Sequence, residues 1–434
     1  MHVCKLDILK AFSQSFDLVS PALVGHHEQV AYIAVRIGEE LGMKGHDLLD
    51  LQMAALVHDV GALQLNNEDR VKLLSFETEN VDHAEAGFML LRIFRVFKKI
   101  ANIVRYHHLH WKNDAKIKEG GHEVPLSSHI IHLADRVAVT INRQQEILSQ
   151  AEKIRTLIFA ESGRQFNPEH VEAFQTLADR EYFWLDMVRP SPVDVLEEAL
   201  PGEAVRLSSA DLLDLSQVFA QLIDFRSNFT ATHSAGVAAV AEWLAKLAGF
   251  NSQECIHMRI AANLHDLGKL AIPTDILEKT SALSNQEFNV VKSHTYHSFR
   301  ILSRIPALTT INEWSSFHHE RLDGLGYPFH LPEDRLSLGS KIMAIADVFT
   351  AITEDRPYRK GMTLSEALAV LDEMALDGAL HGPTIQLLKL NIDDLIAARS
   401  KAQEAASQRY KEFYLELRSL VGPSRLHTDP DIPQ

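Results

Sequence analysis

HHERLDGLGYP, from His318 to Pro328, is the most informative stretch of this chain. It follows LHDLGK at Leu264–Lys269 and precedes IADVFTAITEDRPYR at Ile345–Arg359. Paired histidines, a His-Asp dipeptide and a further aspartate make up the ligand set of a clustered metal site. Imidazole and carboxylate ligands together favour zinc, iron or manganese over magnesium or calcium. The three segments therefore predict a transition-metal centre in the C-terminal half.

The same order of residues occurs in both halves of the chain. His233 lies 32 positions before His265, and His26 lies 32 positions before His58. The C-terminal set is His233, His265, Asp266, His294, His318, His319 and Asp347, and the N-terminal set is His26, His58, Asp59, His83, His107, His108 and Asp135. The offset between the two sets is 207 at the first two histidines and 212 at the closing aspartate. This repetition predicts two tandem domains of one fold.

Helical periodicity dominates the sequence. Apolar residues recur at three- and four-residue steps, as from Val30 to Ile37, whereas alternating strand patterns are scarce. We therefore predict an all-α protein. Arg189–Ala210 holds three prolines and little periodicity, which indicates a linker, although VDVLEEAL within it could form a short helix. The predicted domains are 1–190, a linker at 191–210, a second domain at 211–400, and a C-terminal helix and tail at 401–434.

Composition limits the kinds of binding partner and indicates the cellular compartment. The net charge of −15 argues against binding to long nucleic acid, which needs a broad basic surface, although a small anionic ligand could bind in a local basic pocket. The two cysteines, Cys4 and Cys255, exclude a disulfide framework and fit a reducing cytoplasm. The sequence contains neither a signal-peptide pattern nor an apolar run of about 18 residues. We therefore expect a cytoplasmic protein without a membrane span.

The ordered motifs from about Ala210 to Asn391 resemble the HD-GYP family of cyclic dinucleotide phosphodiesterases. The resemblance implies that the seven C-terminal ligand residues bind two divalent transition-metal ions, iron or manganese before others, with Asp266 between them. It implies that Lys269 contacts the scissile phosphate. It also implies a set of substrate-binding residues in the GYP and RPYR segments, namely Asp323, Gly324, Gly326, Tyr327, Pro328, Arg356 and Arg359. Some members hold a third metal through a glutamate where this chain has Phe229, so we predict two ions.

The substrate that the resemblance implies is cyclic di-GMP, 3′,3′-cyclic GMP-AMP, or both. The expected product is the 5′-phosphorylated linear dinucleotide, formed by a hydroxide that two metals activate. The alternative is a receptor that binds the dinucleotide without turnover, and the complete ligand set with Lys269 favours the enzyme. A different HD phosphohydrolase is a third reading, against which the GYP segment argues for the C-terminal half only.

The N-terminal half resembles the wider HD phosphohydrolase superfamily. It keeps every ligand type, but Ala62 stands where Lys269 stands in the other half, and no GYP segment follows His107 and His108. The sequence leaves open whether this second set binds metal. It could form a 5′-nucleotidase that acts on the linear product, or a purely regulatory domain. The charged helical pattern after Lys401 is typical of helical proteins that form homodimers.

Overall fold

The computed structural model describes residues 3–18, 24–64, 82–94, 97–113, 123–199, 206–225, 232–355 and 360–421. Over these residues the secondary structure is almost entirely helical, which confirms the predicted all-α class. The one sheet in this described part pairs β1 (Val3–Cys4) with β2 (Arg206–Leu207) in antiparallel register. None of the described helices combines the length and the apolar character needed to cross a membrane.

The chain divides into two compact units. The N-terminal unit comprises Ile8–Val205 and Leu415–Thr428, and the C-terminal unit comprises Met1–Asp7, Arg206–Tyr414 and Asp429–Gln434. The first residues thus group with the C-terminal unit and not with the predicted domain 1–190, because the β1 strand pairs with β2. The other predicted domain boundaries stay a prediction.

Helices of the N-terminal unit pack around an apolar core. They are α1 (Lys5–Asp17), α2 (His26–Glu40), α3 (Gly45–Leu56), α4 (Asp82–Arg92), α5 (Lys98–Arg105), α6 (Leu126–Val139), α7 (Ala151–Ala160), α8 (Pro168–Ala178), α9 (Glu181–Met187) and α10 (Asp194–Ala199). The periodic stretch from Val30 to Ile37 lies in α2, where every residue from His26 to Gly38 except Arg36 is buried. The short helix predicted within VDVLEEAL is α10.

Helices of the C-terminal unit also pack around an apolar core. They are α11 (Ser209–Phe225), α12 (His233–Leu247), α13 (Ser252–Leu264), α14 (Thr274–Leu277), α15 (Asn285–Leu302), α16 (Thr309–Ser316), α17 (Leu338–Thr353), α18 (Leu364–Leu376), α19 (Gly382–Leu390) and α20 (Ile392–Val421). The helix predicted from 401 begins earlier, at Ile392, because no glycine or proline interrupts the pattern between these positions.

Capping residues define where several of these helices begin. Asn251 and Glu254 form a capping box at α13, and Ser284 and Glu287 form another at α15. In each box the two side chains accept hydrogen bonds from backbone N–H groups that the first helical turn leaves without partners. These helices carry or precede predicted ligands, so local sequence signals position part of the candidate site.

Candidate metal centres

The predicted C-terminal ligands lie at the ends or on the inner faces of five helices. His233 is the first residue of α12. Helix α13 ends at Leu264, so His265 and Asp266 follow its last turn, and a 3₁₀ turn begins immediately afterwards. His294 lies within α15. All four side chains are buried, which fits ligands that surround an ion.

The histidine pair lies just beyond a helix end. Helix α16 ends at Ser316, and the rings of His318 and His319 have centroids 4.1 Å apart in the turn that follows. Two adjacent histidines on a regular helix point about 100° apart. Because the helix has ended, both rings can face the same centre. Asp347 lies on α17 and completes the set.

The structure brings all seven predicted residues together in three overlapping groups. Within each group, one nitrogen or oxygen atom per residue lies within 4.8 Å of the others. The groups are His233, His265 and Asp347; His265, Asp266 and His318; and His294, His318 and His319. Ligand atoms about 2.1 Å from one ion, at right angles, lie about 3 Å apart, so the donor set suits metal ions.

Asp266 belongs to one of these groups and also contacts a histidine of another. Its Oδ2 lies 3.1 Å from Nε2 of His265, and its Oδ1 lies 3.4 Å from Nε2 of His294. One carboxylate therefore presents its two oxygens to two different histidines. The prediction that Asp266 lies between two ions stays a prediction, with which this geometry is compatible.

Backbone carbonyl groups fix the orientation of three histidines. The Nδ1 atoms of His265, His294 and His318 lie 2.7, 2.6 and 2.6 Å from the carbonyl oxygens three residues earlier. An Nδ1–H that donates to a carbonyl leaves Nε2 as the free ligand atom. All three Nε2 atoms therefore face the centre of the site.

The protonation states of Asp266, His294 and His318 also suit metal ligands. Burial by itself would raise the pKa of Asp266, but the charges of His265 and Lys269 hold that pKa well below its usual value. Burial lowers the pKa of His294 to about 3 and that of His318 well below its usual value. Carboxylates are thus charged and these histidines neutral, which are the forms that bind metal.

Lys269 lies directly beside the central carboxylate. Its Nζ is 2.6 Å from Oδ2 of Asp266, and its side chain is 24% exposed. The ammonium group therefore borders the ligand cluster while part of the side chain stays accessible. This position is compatible with the predicted contact to a phosphate.

The GYP segment forms a loop against His319. The ring of Tyr327 lies 4.9 Å from the ring of His319, and its backbone N–H donates to the His319 carbonyl. Gly326 has no space for a side chain, because a Cβ there would lie 2.3 Å from the backbone nitrogen of Arg321. The Tyr327–Pro328 peptide is cis. The loop is therefore held next to the ligand pair.

Two further loop residues shape its turn. Gly324 has a φ of +74°, a left-handed conformation that glycine adopts without strain. Asp323 pairs with Arg321 at 2.6 Å and accepts a hydrogen bond from the N–H of Leu325. Asp323 thus stabilises the turn, and its predicted contact with substrate stays a prediction.

Sequence reasoning did not identify two residues that build this region. The buried carboxylate of Glu320 accepts hydrogen bonds from the N–H groups of Phe329 and Leu331, at 2.7 and 3.0 Å. Lys292 lies over the Tyr327 ring at 5.7 Å and lines an open cavity of about 310 Å³ beside the loop. The glutamate that directly follows His318 and His319 was the available signal for the first. Lys292 had no signal beyond its place on the helix of His294.

Three predicted features lie outside the described residues. They are the substrate contacts of Arg356 and Arg359 and the replacement at Phe229 on which the count of two ions depends.

The N-terminal ligands are assembled in the same way. Asp59, His83, His107 and His108 form one group within 4.8 Å, and His26, His58 and Asp59 form another. Asp59 again presents its two oxygens to two histidines, with Oδ2 at 3.3 Å from His58 and Oδ1 at 3.2 Å from His83. His26 lies 3.2 Å from Oδ1 of Asp135. The donor set therefore suits metal ions here as well.

Protonation in the N-terminal site follows the same pattern. Burial alone would raise the pKa of Asp59, but the His58 charge and hydrogen bonds from neighbouring histidines hold it well below its usual value. Burial lowers the pKa of His107 to about 4 and that of His108 well below its usual value. The two sites thus share their ligand types and the charged form of their central aspartates.

The first histidines of the two sites differ. Burial lowers the pKa of His26, whereas the burial of His233 is outweighed by hydrogen bonds to Asp347 and Glu354, which raise its pKa to about 10.

A buried arginine distinguishes the N-terminal site. Oδ2 of Asp135 accepts from Nε and Nη2 of Arg136, at 3.1 and 2.5 Å, and Arg136 is 1% exposed. Val348 occupies the corresponding position after Asp347. The lysine position is Ala62, which is buried and apolar. Sequence reasoning did not single out Arg136, because an arginine next to an aspartate is common on helix surfaces.

Comparisons with known proteins match both halves. An HD domain family matches residues 217–380, and a second HD domain family matches residues 23–140. The 3′3′-cGAMP-specific phosphodiesterase 1 of Vibrio cholerae is 28% identical over 389 residues, which cover 87% of this chain and 90% of that protein. The chain carries two HD domains, and its relatives support an HD-GYP-type cyclic dinucleotide phosphodiesterase. The resemblance drawn from the motifs is therefore confirmed.

Two other relatives agree with this assignment. A cyclic di-GMP phosphodiesterase of Thermotoga maritima is 35% identical over 176 residues, which cover 40% of this chain and 47% of that protein. The crystal structure of a cyclic GMP-AMP-specific phosphodiesterase of Vibrio cholerae superposes with a TM-score of 0.62 at 22% identity. That match covers 91% of this chain and 98% of the other, and it shows that the two chains share a fold.

Proposed function

We propose that the C-terminal HD-GYP domain hydrolyses a cyclic dinucleotide to the 5′-phosphorylated linear dinucleotide. Cyclic di-GMP and 3′,3′-cyclic GMP-AMP are the candidate substrates, since the names of the relatives include both. One observation carries the proposal. Asp266 presents its two oxygens to two histidine groups and has Lys269 at its side, so ligands and a phosphate-binding cation meet at one point.

The residues of the site would have two different roles in the reaction. The seven ligand residues would hold two divalent ions, iron or manganese before others, which supply an activated water and neutralise phosphate charge. Lys269 would place its ammonium group against the phosphate that gains negative charge during the reaction. Because the ammonium is already held by Asp266, little reorganisation is needed at that moment.

The cavity beside the GYP loop would receive the rest of the substrate. Lys292 supplies a second positive charge there, and Tyr327 supplies an aromatic ring that also contacts His319. A doubly charged dinucleotide needs such local cations in a chain whose net charge is −15. Base stacking on an aromatic ring is typical of nucleotide sites and stabilises each base by about 1–3 kcal/mol.

Product analysis tests this proposal. The full chain, loaded with Mn²⁺ or Fe²⁺, is incubated with each cyclic dinucleotide, and products are separated by liquid chromatography with mass detection. We expect the linear dinucleotide from the unaltered protein and from Asp394→Asn, an exposed control on α20. Asp266→Asn should lower kcat/KM by at least about a thousandfold. Normal turnover by Asp266→Asn would refute the assigned site, and binding without turnover by the unaltered protein would establish the receptor alternative.

For the N-terminal domain we propose a 5′-nucleotidase acting on the linear product. The observation that favours a second active centre is the complete ligand set around Asp59, which a purely regulatory domain would not need. The absence of a GYP segment and of the lysine argues for a different substrate from that of the C-terminal site. A terminal phosphate is smaller than a cyclic diester and would need no such loop.

Release of inorganic phosphate from the linear dinucleotide tests this second role. Asp59→Asn should keep ring opening and lose phosphate release, whereas Asp179→Asn, an exposed control in the same unit, should keep both. An unchanged product profile for Asp59→Asn would make the N-terminal domain regulatory.

A further inference from the structure

His233 is oriented differently from three other histidines of its site. Those three donate from Nδ1 to a backbone carbonyl, as described above. His233 is the first residue of α12, and its Nδ1 lies 2.9 Å from Oε2 of Glu354. Its Nε2 lies 3.2 Å from Oδ1 of Asp347 and faces the ligand cluster. A charged carboxylate therefore holds the ring atom that points away from the centre.

Glu354 is itself held by a helix outside the metal-binding motifs. It caps the C-terminus of α17, and its side chain is 13% exposed. Its second oxygen, Oε1, accepts a hydrogen bond from Nε2 of Gln403 on α20 at 2.5 Å. One turn earlier on α20, Arg399 donates to Oγ1 of Thr353 and lies over the Phe349 ring at 5.4 Å. Two successive turns of α20 thus contact the end of α17.

Helix α12 leaves room for this contact. Gly236 lies one turn after His233, and a Cβ at that position would lie 2.8 Å from Nε2 of Gln403. It would also lie 3.0 Å from Cγ2 of Thr350. The missing side chain at Gly236 therefore allows the glutamine to reach Glu354.

We propose that Glu354 is a positioning residue for the metal ligand His233, and that Gln403 fixes Glu354 from helix α20. The proposal rests on the proposed C-terminal metal centre. A carboxylate that accepts from the outer nitrogen of a ligand histidine fixes the ring tautomer and increases the basicity of the inner nitrogen. Loss of such a partner typically lowers metal affinity about 10- to 100-fold. Helix α20 thereby becomes part of the support of the metal site.

The N-terminal half has the same ligand types but no carboxylate at the position that corresponds to Glu354. The offset of 212 that relates Asp347 to Asp135 places Asn142 at the position of Glu354. Asn142 is neutral, and its Oδ1 accepts from the backbone N–H of Gln144. The outer carboxylate thus belongs to the C-terminal site, where the fold supplies a long helix to hold it.

Metal affinity tests the proposal without reference to turnover. The measurements use the full chain carrying His58→Ala and Asp59→Ala, so that bound Mn²⁺ reports on the C-terminal site. Equilibrium dialysis followed by elemental analysis gives the affinity. We expect Glu354→Ala to weaken Mn²⁺ binding about 10- to 100-fold and Glu354→Gln, which keeps an acceptor but loses the charge, about tenfold. Gln403→Ala should weaken it severalfold, and Glu404→Gln, an exposed neighbour on α20, should leave it unchanged.

A second readout separates positioning from general damage to the fold. At saturating Mn²⁺, the kcat of Glu354→Gln should approach that of the unaltered protein, because excess metal compensates for weaker ligation. Its KM for the dinucleotide should be unaltered. Wild-type affinity in folded Glu354→Ala and Gln403→Ala would overturn the proposal. If Glu354→Ala does not fold, Gln403→Ala decides, since it removes only one hydrogen bond. Failure of turnover in every variant, with the expected order of affinities, would refute the proposed function and leave this inference standing.

Discussion

The two candidate metal centres have the same types of candidate ligand and differ in the cation beside them. In the C-terminal site, Lys269 lies 2.6 Å from Asp266, the carboxylate that faces two histidine groups. In the N-terminal site, Ala62 replaces that lysine and the buried Arg136 bonds Asp135. Both cations contact a ligand residue, but the Lys269 side chain is 24% exposed and accessible to a phosphate, whereas Arg136 is buried. We therefore expect the ligand set to provide metal binding and the cation to decide which substrate group each site can stabilise.

Accessibility differs between the sites as well. The His319 side chain is 29% exposed and borders the GYP loop, whereas its counterpart His108 is buried. Among the described residues, the second histidine of the pair is thus open to a ligand only in the C-terminal half. This difference agrees with the proposal that the C-terminal site takes the larger substrate and the N-terminal site the smaller one.

Removal of a His-Asp dipeptide should have the largest effect, because it takes away both the central carboxylate and a ligand histidine. His265→Ala with Asp266→Ala should abolish metal binding in the C-terminal half, and His58→Ala with Asp59→Ala in the N-terminal half. Elemental analysis of dialysed full-length protein gives the ions per chain for each variant. If the N-terminal variant keeps all the metal of the unaltered protein, the N-terminal site does not bind metal and the two sites are not equivalent.

Arg136→Met tests the cation that only the N-terminal site buries. The change removes the arginine partner of the buried Asp135 carboxylate and leaves His26 beside it. Loss of one partner of a buried ion pair typically costs about 3–5 kcal/mol of unfolding free energy. Chemical denaturation of metal-free protein measures this loss. Arg155→Met removes a partly exposed ion pair of the same unit and should cost less than about 1 kcal/mol. Equal effects of the two variants would show that the pairing of Arg136 with Asp135 contributes little.

Lys269→Met tests the cation of the C-terminal site. We expect kcat/KM for ring opening to fall about a hundredfold, because the phosphate loses one preorganised positive charge. Phosphate release from the linear dinucleotide should be unaffected. Lys401→Met, at an exposed position on α20, serves as the control. Unchanged ring opening in Lys269→Met would remove the distinction drawn between the two sites.

The smallest effect concerns the helices that carry the third histidines. Helix α15 begins nine residues before His294 with the capping box of Ser284 and Glu287, whereas α4 begins one residue before His83. Ser284→Ala should destabilise the C-terminal unit by about 1 kcal/mol in thermal or chemical denaturation. A loss no larger than that of Ser303→Ala, at the other end of α15, would show that the cap is dispensable.

The same capping box should give a pH dependence. Hydrogen bonds from Lys279 and from Ser284 lower the pKa of Glu287 from 4.5 to about 2. Because the folded-state pKa is depressed, this stabilisation is present above the unfolded-state value and is lost as pH falls from about 4.5 towards 2. Glu287→Gln should flatten that part of the stability curve, and an identical acid profile would contradict the assignment.

Much of both sites could be predicted from the chain alone. The repeated spacing selected fourteen candidate ligands, of which thirteen lie in the clusters of donor atoms that the structure shows, and helical periodicity indicated the all-α class. The sequence left open whether His318 and His319 face a wide site or follow a helix end, and the structure places a helix end at Ser316. The early start of α20 and the grouping of the first residues with the C-terminal unit were not predicted. The uninterrupted pattern before 401 was the available signal for the first, and the pairing of β1 with β2 leaves no motif.

The sequence by itself determined the ligand types, their order and the family, because metal-binding histidines and aspartates recur at spacings that a helical repeat imposes. The tertiary structure alone decided which second partners these ligands have. Gln403 reaches Glu354 across 49 positions, and that hydrogen bond depends on the packing of α20 against the end of α17. Arg136 is adjacent to Asp135 in sequence, yet only its burial makes the pair a fixed part of the site. Partners of this kind leave no periodic signal, since burial and long-range contacts arise only when the helices pack.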